Sequence, residues 1–125
     1  MKRVVCIVWL AALVLGAILA LAACGAKDLT PPLQDIDLAR DQSAKAEIML
    51  VRTAISAYTA TNGALPPAAT PAVLGSLADP WPTNPWTNAP MAPGDKKGDI
   101  VYTPGAGTSF TLGVHLSNGT VYTAP

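Results

Sequence analysis

Of the groups in this chain that could do chemistry, one sits in a pattern that points to a reaction. Cys24 ends the run Leu21-Ala22-Ala23-Cys24, which closes a segment that opens with Lys2-Arg3 and is apolar from Val4 to Leu21. A basic start, an apolar stretch and small residues before a cut describe a secretory signal, and here the cut would fall directly before a thiol. The other reactive groups are sparse. Cys6 lies inside the segment to be removed, so the mature chain would hold no free thiol and no disulfide. His115 is the only histidine, which leaves no Cys/His metal cluster. It falls on the polar phase of a strand with no nucleophile motif beside it, so a surface histidine is the expectation. No G-x-S-x-G, His-Glu-x-x-His or phosphate-cradling glycine loop occurs; Gly105 and Gly107 read as a turn because no helix follows them. Asp35 and Asp37 read as acids serving a helix start rather than as a catalytic pair. Asn118-Gly119-Thr120 matches a glycosylation sequon, but Asn-Gly between strands reads better as a hairpin turn. These residues describe a protein that is not an enzyme.

The Leu21–Cys24 pattern resembles the lipobox of bacterial lipoproteins. That resemblance implies that Cys24 is the lipid-attachment residue, that the chain is cut just before it, and that the new N-terminus is acylated. It further implies a membrane partner reached through lipid, in the bacterial cell envelope and outside the cytoplasm. The competing reading is an uncleaved spanning helix, because Val4 to Ala23 is 20 residues without a charge, and about 20 apolar residues cross a bilayer. The narrow Leu-Ala-Ala-Cys spacing, placed where a cut is expected, sets the lipid reading above the spanning one.

The remainder is enough for one small domain with one core. The whole chain carries eight basic and eight acidic residues; losing Lys2 and Arg3 leaves a slight acidic excess. No basic stripe exists, which argues against nucleic acid as a partner. The expected organisation is a signal segment over residues 1–23, a tether over 24–38, and an α+β domain over 39–125. Pro31-Pro32 favours an extended spacer within the tether.

An amphipathic helix is predicted from Asp37 or Asp41 to Asn62. Ala44, Ile48, Val51, Ile55 and Tyr58 recur at steps of four and three and so share one stripe. Asp41 reads as the N-cap, with Glu47 adding negative charge near the start. Gly63 is the stop, and Pro66-Pro67 rules out continuation. Thr70-Pro71 suggests one further turn, with Val73, Leu74 and Leu77 facing inward. Prolines at 80, 82, 85 and 90 forbid a regular helix across Trp81 to Met91 and favour an ordered loop, with Trp81 and Trp86 as its pegs. Packing of this long loop onto the helix is the simpler expectation; an aromatic binding platform formed by Trp81 and Trp86 is the alternative.

Strands are expected at Asp99–Thr103, Ser109–Leu116 and Thr120–Thr123. In the second, Phe110, Leu112, Val114 and Leu116 point one way and Thr111, Gly113 and His115 the other. Asn118-Gly119 is read as a two-residue turn with positive φ at both central positions. One long amphipathic helix packed on a small antiparallel three-stranded sheet, with a long Pro/Trp-rich connection, is the resulting fold class.

The order of these pieces resembles the globular half of type IV pilin-like proteins, above all the pseudopilins of type II secretion systems. The residues that carry it are Tyr58-Thr59-Ala60-Thr61-Asn62-Gly63-Ala64-Leu65-Pro66 at the helix end, Trp81 to Trp86 with Ala89-Pro90-Met91 in the loop, Gly98-Asp99-Ile100-Val101-Tyr102, Phe110 to Gly113, and Asn118-Gly119. The prepilin signal of that family is missing, since no Gly-Phe followed by Glu opens the apolar run. The resemblance implies a structural or interaction component of a secretion- or pilus-type assembly, with protein partners in the envelope. Family members often bind calcium before the final strands, and the oxygens available here are those of Asp95 and Asp99. Two acids beside Lys96-Lys97 make a poor set for an ion that takes six to eight oxygens, so a solvated turn with no cofactor is the favoured reading. The alternative function is a stand-alone lipoprotein that grips a glycan or peptide through Trp81 and Trp86.

Overall fold

The computed structural model describes residues 32–125, which form one compact unit. The signal segment, Cys6, Cys24 and most of the tether lie outside the described residues. Among the described residues, no helix is long and apolar enough to cross a membrane.

Helix α1 spans Leu33–Asn62, 30 residues without Gly or Pro, and is about 45 Å long at roughly 1.5 Å per residue. It starts earlier than either predicted start, Asp37 or Asp41. Pro32 takes the N-cap position, its carbonyl accepting from the N–H groups of Asp35 (2.9 Å) and Ile36 (3.3 Å), and Asp35 supplies the acid in the first turn. Residues 33–38, expected in the tether, are therefore helical, and Glu47 lies well inside the helix rather than near its start. The C-terminus follows the sequence: Gly63 adopts φ 70° and donates its N–H to the Thr59 carbonyl at 2.8 Å. Ala44, Ile48, Val51, Ala54 and Ile55 are buried along one stripe, with Tyr58 packed at its edge.

Strands β1 (Ile100–Pro104), β2 (Phe110–His115) and β3 (Val121–Thr123) form an antiparallel meander in sequence order. The registers Ile100↔Val114↔Tyr122 and Tyr102↔Leu112 align one apolar face, and Ile100, Leu112 and Val114 are buried in the same cluster as the helix stripe. A lone helix and a lone three-stranded sheet each leave an apolar face in water; covering one with the other removes both. Arg52 and Lys45 border the seam. The Arg52 guanidinium donates to the Ala124 carbonyl at 3.3 Å and lies 5.7 Å from the Phe110 ring, while Lys45 Nζ lies 5.3 Å from the Tyr122 ring.

Two local expectations are corrected. Asp41 is not a cap: it sits two turns into α1, where Oδ1 accepts the Ser117 N–H (2.8 Å) and Oδ2 accepts the Ser117 hydroxyl (2.7 Å). The carboxylate thus clamps the β2–β3 turn onto the helix across 76 residues of sequence. That turn is a three-residue loop, not a two-residue one. Leu116 N–H donates to the Thr120 carbonyl and Gly119 N–H to the Leu116 carbonyl, and only Gly119 has positive φ, 82°. Asn118 instead uses its Oδ1 to accept from the N–H and hydroxyl of Thr120, a side-chain turn that stabilises a type of hairpin ending in one left-handed glycine.

Candidate functional site

The connection from α1 to β1 holds the residues that can meet a partner. It begins with helix α2 (Pro71–Leu74) and a 3-10 turn (Gly75–Leu77). Leu74 is buried and Val73 partly so, as expected; Leu77 is 41% exposed and does not face the core. Proline spacing prevents a longer helix, and the chain doubles back instead. Met91 N–H donates to the Pro82 carbonyl and Asn84 N–H to the Ala89 carbonyl, with Thr83 and Pro90 bridged between them.

Asn84 is the hub of this loop and, among the described residues, the one polar residue buried with the core, at 3% exposure. Its Nδ2 donates to the Lys97 carbonyl (2.9 Å) and its Oδ1 accepts the Trp86 N–H (2.9 Å). Its own carbonyl accepts from Asn88 at 2.9 Å. One amide thereby satisfies backbone groups on both arms of a segment that has no strand ladder to satisfy them. Gly98 makes room for it. Its φ is 80°, and a Cβ there would collide with the Asn84 amide. The sequence places Asn84 within the Trp81 to Trp86 run and Gly98 at the start of a strand motif but gives neither this role; the clue available was an Asn within a proline-rich run, followed by an isolated glycine before a strand.

Trp81 and Trp86 both pack against the core cluster, but by different contacts. Trp81 donates its indole N–H to the carbonyl of the buried Met91 at 2.8 Å. Its remaining surface lines a groove of about 480 Å³ between α1 and residues 77–83, where Glu47, Leu50 and Thr53 face Leu77, Asp79 and Pro80. Trp86 does not line this groove, and its indole N–H is buried without a partner. The two-tryptophan platform is therefore not assembled at this groove: Trp81 is joined there by α1 instead. Glu47, Leu50 and Thr53 were missed as site residues, although their steps of three on a helix, off the buried stripe, place them on one side of it.

Asp95 and Asp99 sit on the turn before β1. Asp95 is exposed, and Asp99 Oδ2 accepts the Lys96 N–H at 2.9 Å while the Asp99 N–H donates to the Lys96 carbonyl. Asp99 thus closes its own turn. Among the described residues no group of three or more His, Cys, Asp or Glu side chains is placed to hold a metal ion. His115 is partly buried on β2, paired with Val121, its backbone N–H donating to the Asp99 carbonyl at 3.1 Å.

Tyr102 links sheet and loop. Its hydroxyl donates to the Pro66 carbonyl at 3.0 Å, and burial raises its pKa above a tyrosine's ordinary 10.0, because the phenolate is the form that loses solvation. What the arrangement offers chemically is recognition: an open groove with one aromatic wall, exposed aliphatic side chains and two carboxylates. Comparison with protein families, with curated proteins and with solved structures gives no match to this chain.

Proposed function

We propose that this protein is a lipid-anchored component of the bacterial cell envelope, whose α+β head acts as a structural or interaction module of a secretion- or pilus-type assembly. The observation that carries the reading is Leu21-Ala22-Ala23-Cys24 at the end of a basic-then-apolar leader. The lipid on Cys24 localises the protein, the residues that follow space it from the bilayer, and the head meets its partner. Several acyl chains on one residue hold firmly, since each buried methylene contributes about 0.8 kcal/mol. The order helix, Pro/Trp-rich loop, three-stranded meander supports the pseudopilin-like character of the head.

The test is the intact mass of the protein purified from membranes. The expected species is residues 24–125 plus a lipid adduct, and Cys24→Ala abolishes both the adduct and the cut. A mass equal to the unmodified full chain, or a Cys24→Ala variant that is processed and membrane-bound like the parent, overturns the anchor.

A second reading, a stand-alone ligand-binding lipoprotein, is favoured by one observation, the groove that Trp81 lines. It is separated from the first by Trp fluorescence against glycan and peptide panels in the absence of any assembly partner. Saturable quenching that Trp81→Phe weakens supports it, and a silent panel counts against it.

A further inference from the structure

We propose that the groove between α1 and residues 77–83 is a docking site for a segment of a partner protein in which a Lys or Arg is flanked by apolar residues. The proposal rests on the interaction-module reading above and specifies its contact. The groove is open and has two kinds of lining. Leu50 and Leu77 are 51% and 41% exposed on facing sides, with the prolines at 80 and 82 and the free surface of Trp81 between them. Large aliphatic side chains held in water beside an anchored indole gain by being covered.

Charge decides what covers them. Glu47 and Asp79 line the same groove, and no Lys or Arg does. Among the described residues neither carboxylate has an ion-pair or hydrogen-bond partner, whereas Asp41, Asp99 and Asp37 are each engaged elsewhere. An uncharged apolar occupant would leave these two acids partly desolvated and unpaired, which is unfavourable. An anionic occupant would be repelled. A Lys or Arg fits both linings: its aliphatic stem lies on apolar surface while its head reaches a carboxylate or the indole face. A glycan suits the lining less well. The Thr53 hydroxyl already donates its proton to the Met49 carbonyl at 3.0 Å, so the one side-chain donor left free in the groove is the Thr83 hydroxyl, and the other free polar side-chain atoms are acceptors.

The experiment uses the full chain, purified from membranes in detergent micelles, as bait for a random phage-displayed dodecapeptide library. Selected peptides are expected to be enriched in Lys or Arg with apolar neighbours. The affinity of a selected peptide is expected to fall roughly tenfold in the double variant E47Q/D79N, about what two partly exposed ion pairs contribute together. It is expected to hold in D37N/D95N, which removes the same formal charge away from the groove. All four positions are at the surface, and matching melting curves establish that both double variants are folded. The proposal is overturned if no peptide is enriched, if the enriched peptides lack basic residues, or if the two double variants weaken binding equally. It is also overturned if a glycan array, rather than peptides, yields binding that E47Q/D79N abolishes. None of these results bears on the lipid adduct, which the intact mass decides separately.

Discussion

Replacing Asn84 with Ala removes two side-chain hydrogen bonds at once and leaves the Lys97 carbonyl and the Trp86 N–H without those partners. Each net bond is worth about 1 kcal/mol, and orphaning a buried group adds about 1–3 kcal/mol where water cannot reach it. Because Asn84 is only 3% exposed, part of that penalty applies, and the expected loss is about 2–4 kcal/mol. A domain of this size has a total stability of roughly 5–10 kcal/mol, so the loss is a large fraction of the whole. With an m-value of roughly 1–1.5 kcal/mol per molar in urea, the midpoint should drop by about 1.3–4 M. The assay is equilibrium urea unfolding of the membrane-purified chain in detergent, followed by near-ultraviolet circular dichroism, which reports the packing of Trp81 and Trp86. The pretransition signal should also change, because the loop that seats Trp86 loses its anchor. A loss below about 0.5 kcal/mol with an unchanged aromatic signal would refute the reasoning: it would mean that Asn84 is solvated in solution and that the loop is held by its prolines alone.

The companion position gives a second test, since Gly98→Ala places a methyl against the Asn84 amide at a positive φ, and about 2 kcal/mol or more should be lost in the same urea assay. Asp41 and Ser117 form a double-mutant cycle. Asp41→Ala should cost about 2 kcal/mol, and its coupling to Ser117→Ala should be about 1 kcal/mol, the value of the shared hydroxyl–carboxylate bond; an additive cycle would mean that the hydroxyl bond contributes nothing, and a cost of Asp41→Ala near zero would return Asp41 to the role of an ordinary surface acid. Tyr102 predicts alkaline behaviour. Its folded-state pKa is raised, so its contribution is present below the ordinary value of 10.0 and is lost as pH rises from there through the folded value. Unfolding midpoints measured from pH 8 to 11 should fall above about pH 10, and Tyr102→Phe should flatten that fall while lowering stability by about 1 kcal/mol at pH 8, through loss of the bond to Pro66.

The residues that sequence alone made legible are those whose signal is local and periodic. The stripe from Ala44 to Tyr58, the glycine stop at 63 and the alternation through Phe110 to Val114 each follow from one element's own geometry. Together they were enough for an α+β arrangement of one helix on three strands. The Leu-Ala-Ala-Cys pattern on which the proposed anchor rests is local in the same way, because a processing enzyme reads linear chain. What escaped was every role that depends on a neighbour distant in sequence. Asp41 has the residue type of an N-cap, and nothing before it in the chain tells it from one; only the docking of the β2–β3 turn gives its carboxylate two donors and makes it a tertiary clamp. The same is true of Asn118-Gly119, whose dipeptide suits a two-residue turn, while the register set by Leu116 and Thr120 makes it a three-residue one.

The site divides along the same line. Composition and spacing determined that the connection between helix and sheet is irregular, ordered and aromatic, because prolines at 80, 82, 85 and 90 forbid repeating hydrogen bonds and the loop must be packed by its own side chains. Tertiary structure decided which tryptophan lines the groove against α1. Trp81 is held by the Met91 carbonyl with one surface lining the groove, and Trp86 does not line it. It also decided that Glu47, Leu50 and Leu77 share a groove with Trp81, since their proximity comes from how the loop folds back on the helix. Periodicity along one element fixes which way a side chain points from its own backbone; which residues from other elements stand opposite is set only when the chain has folded.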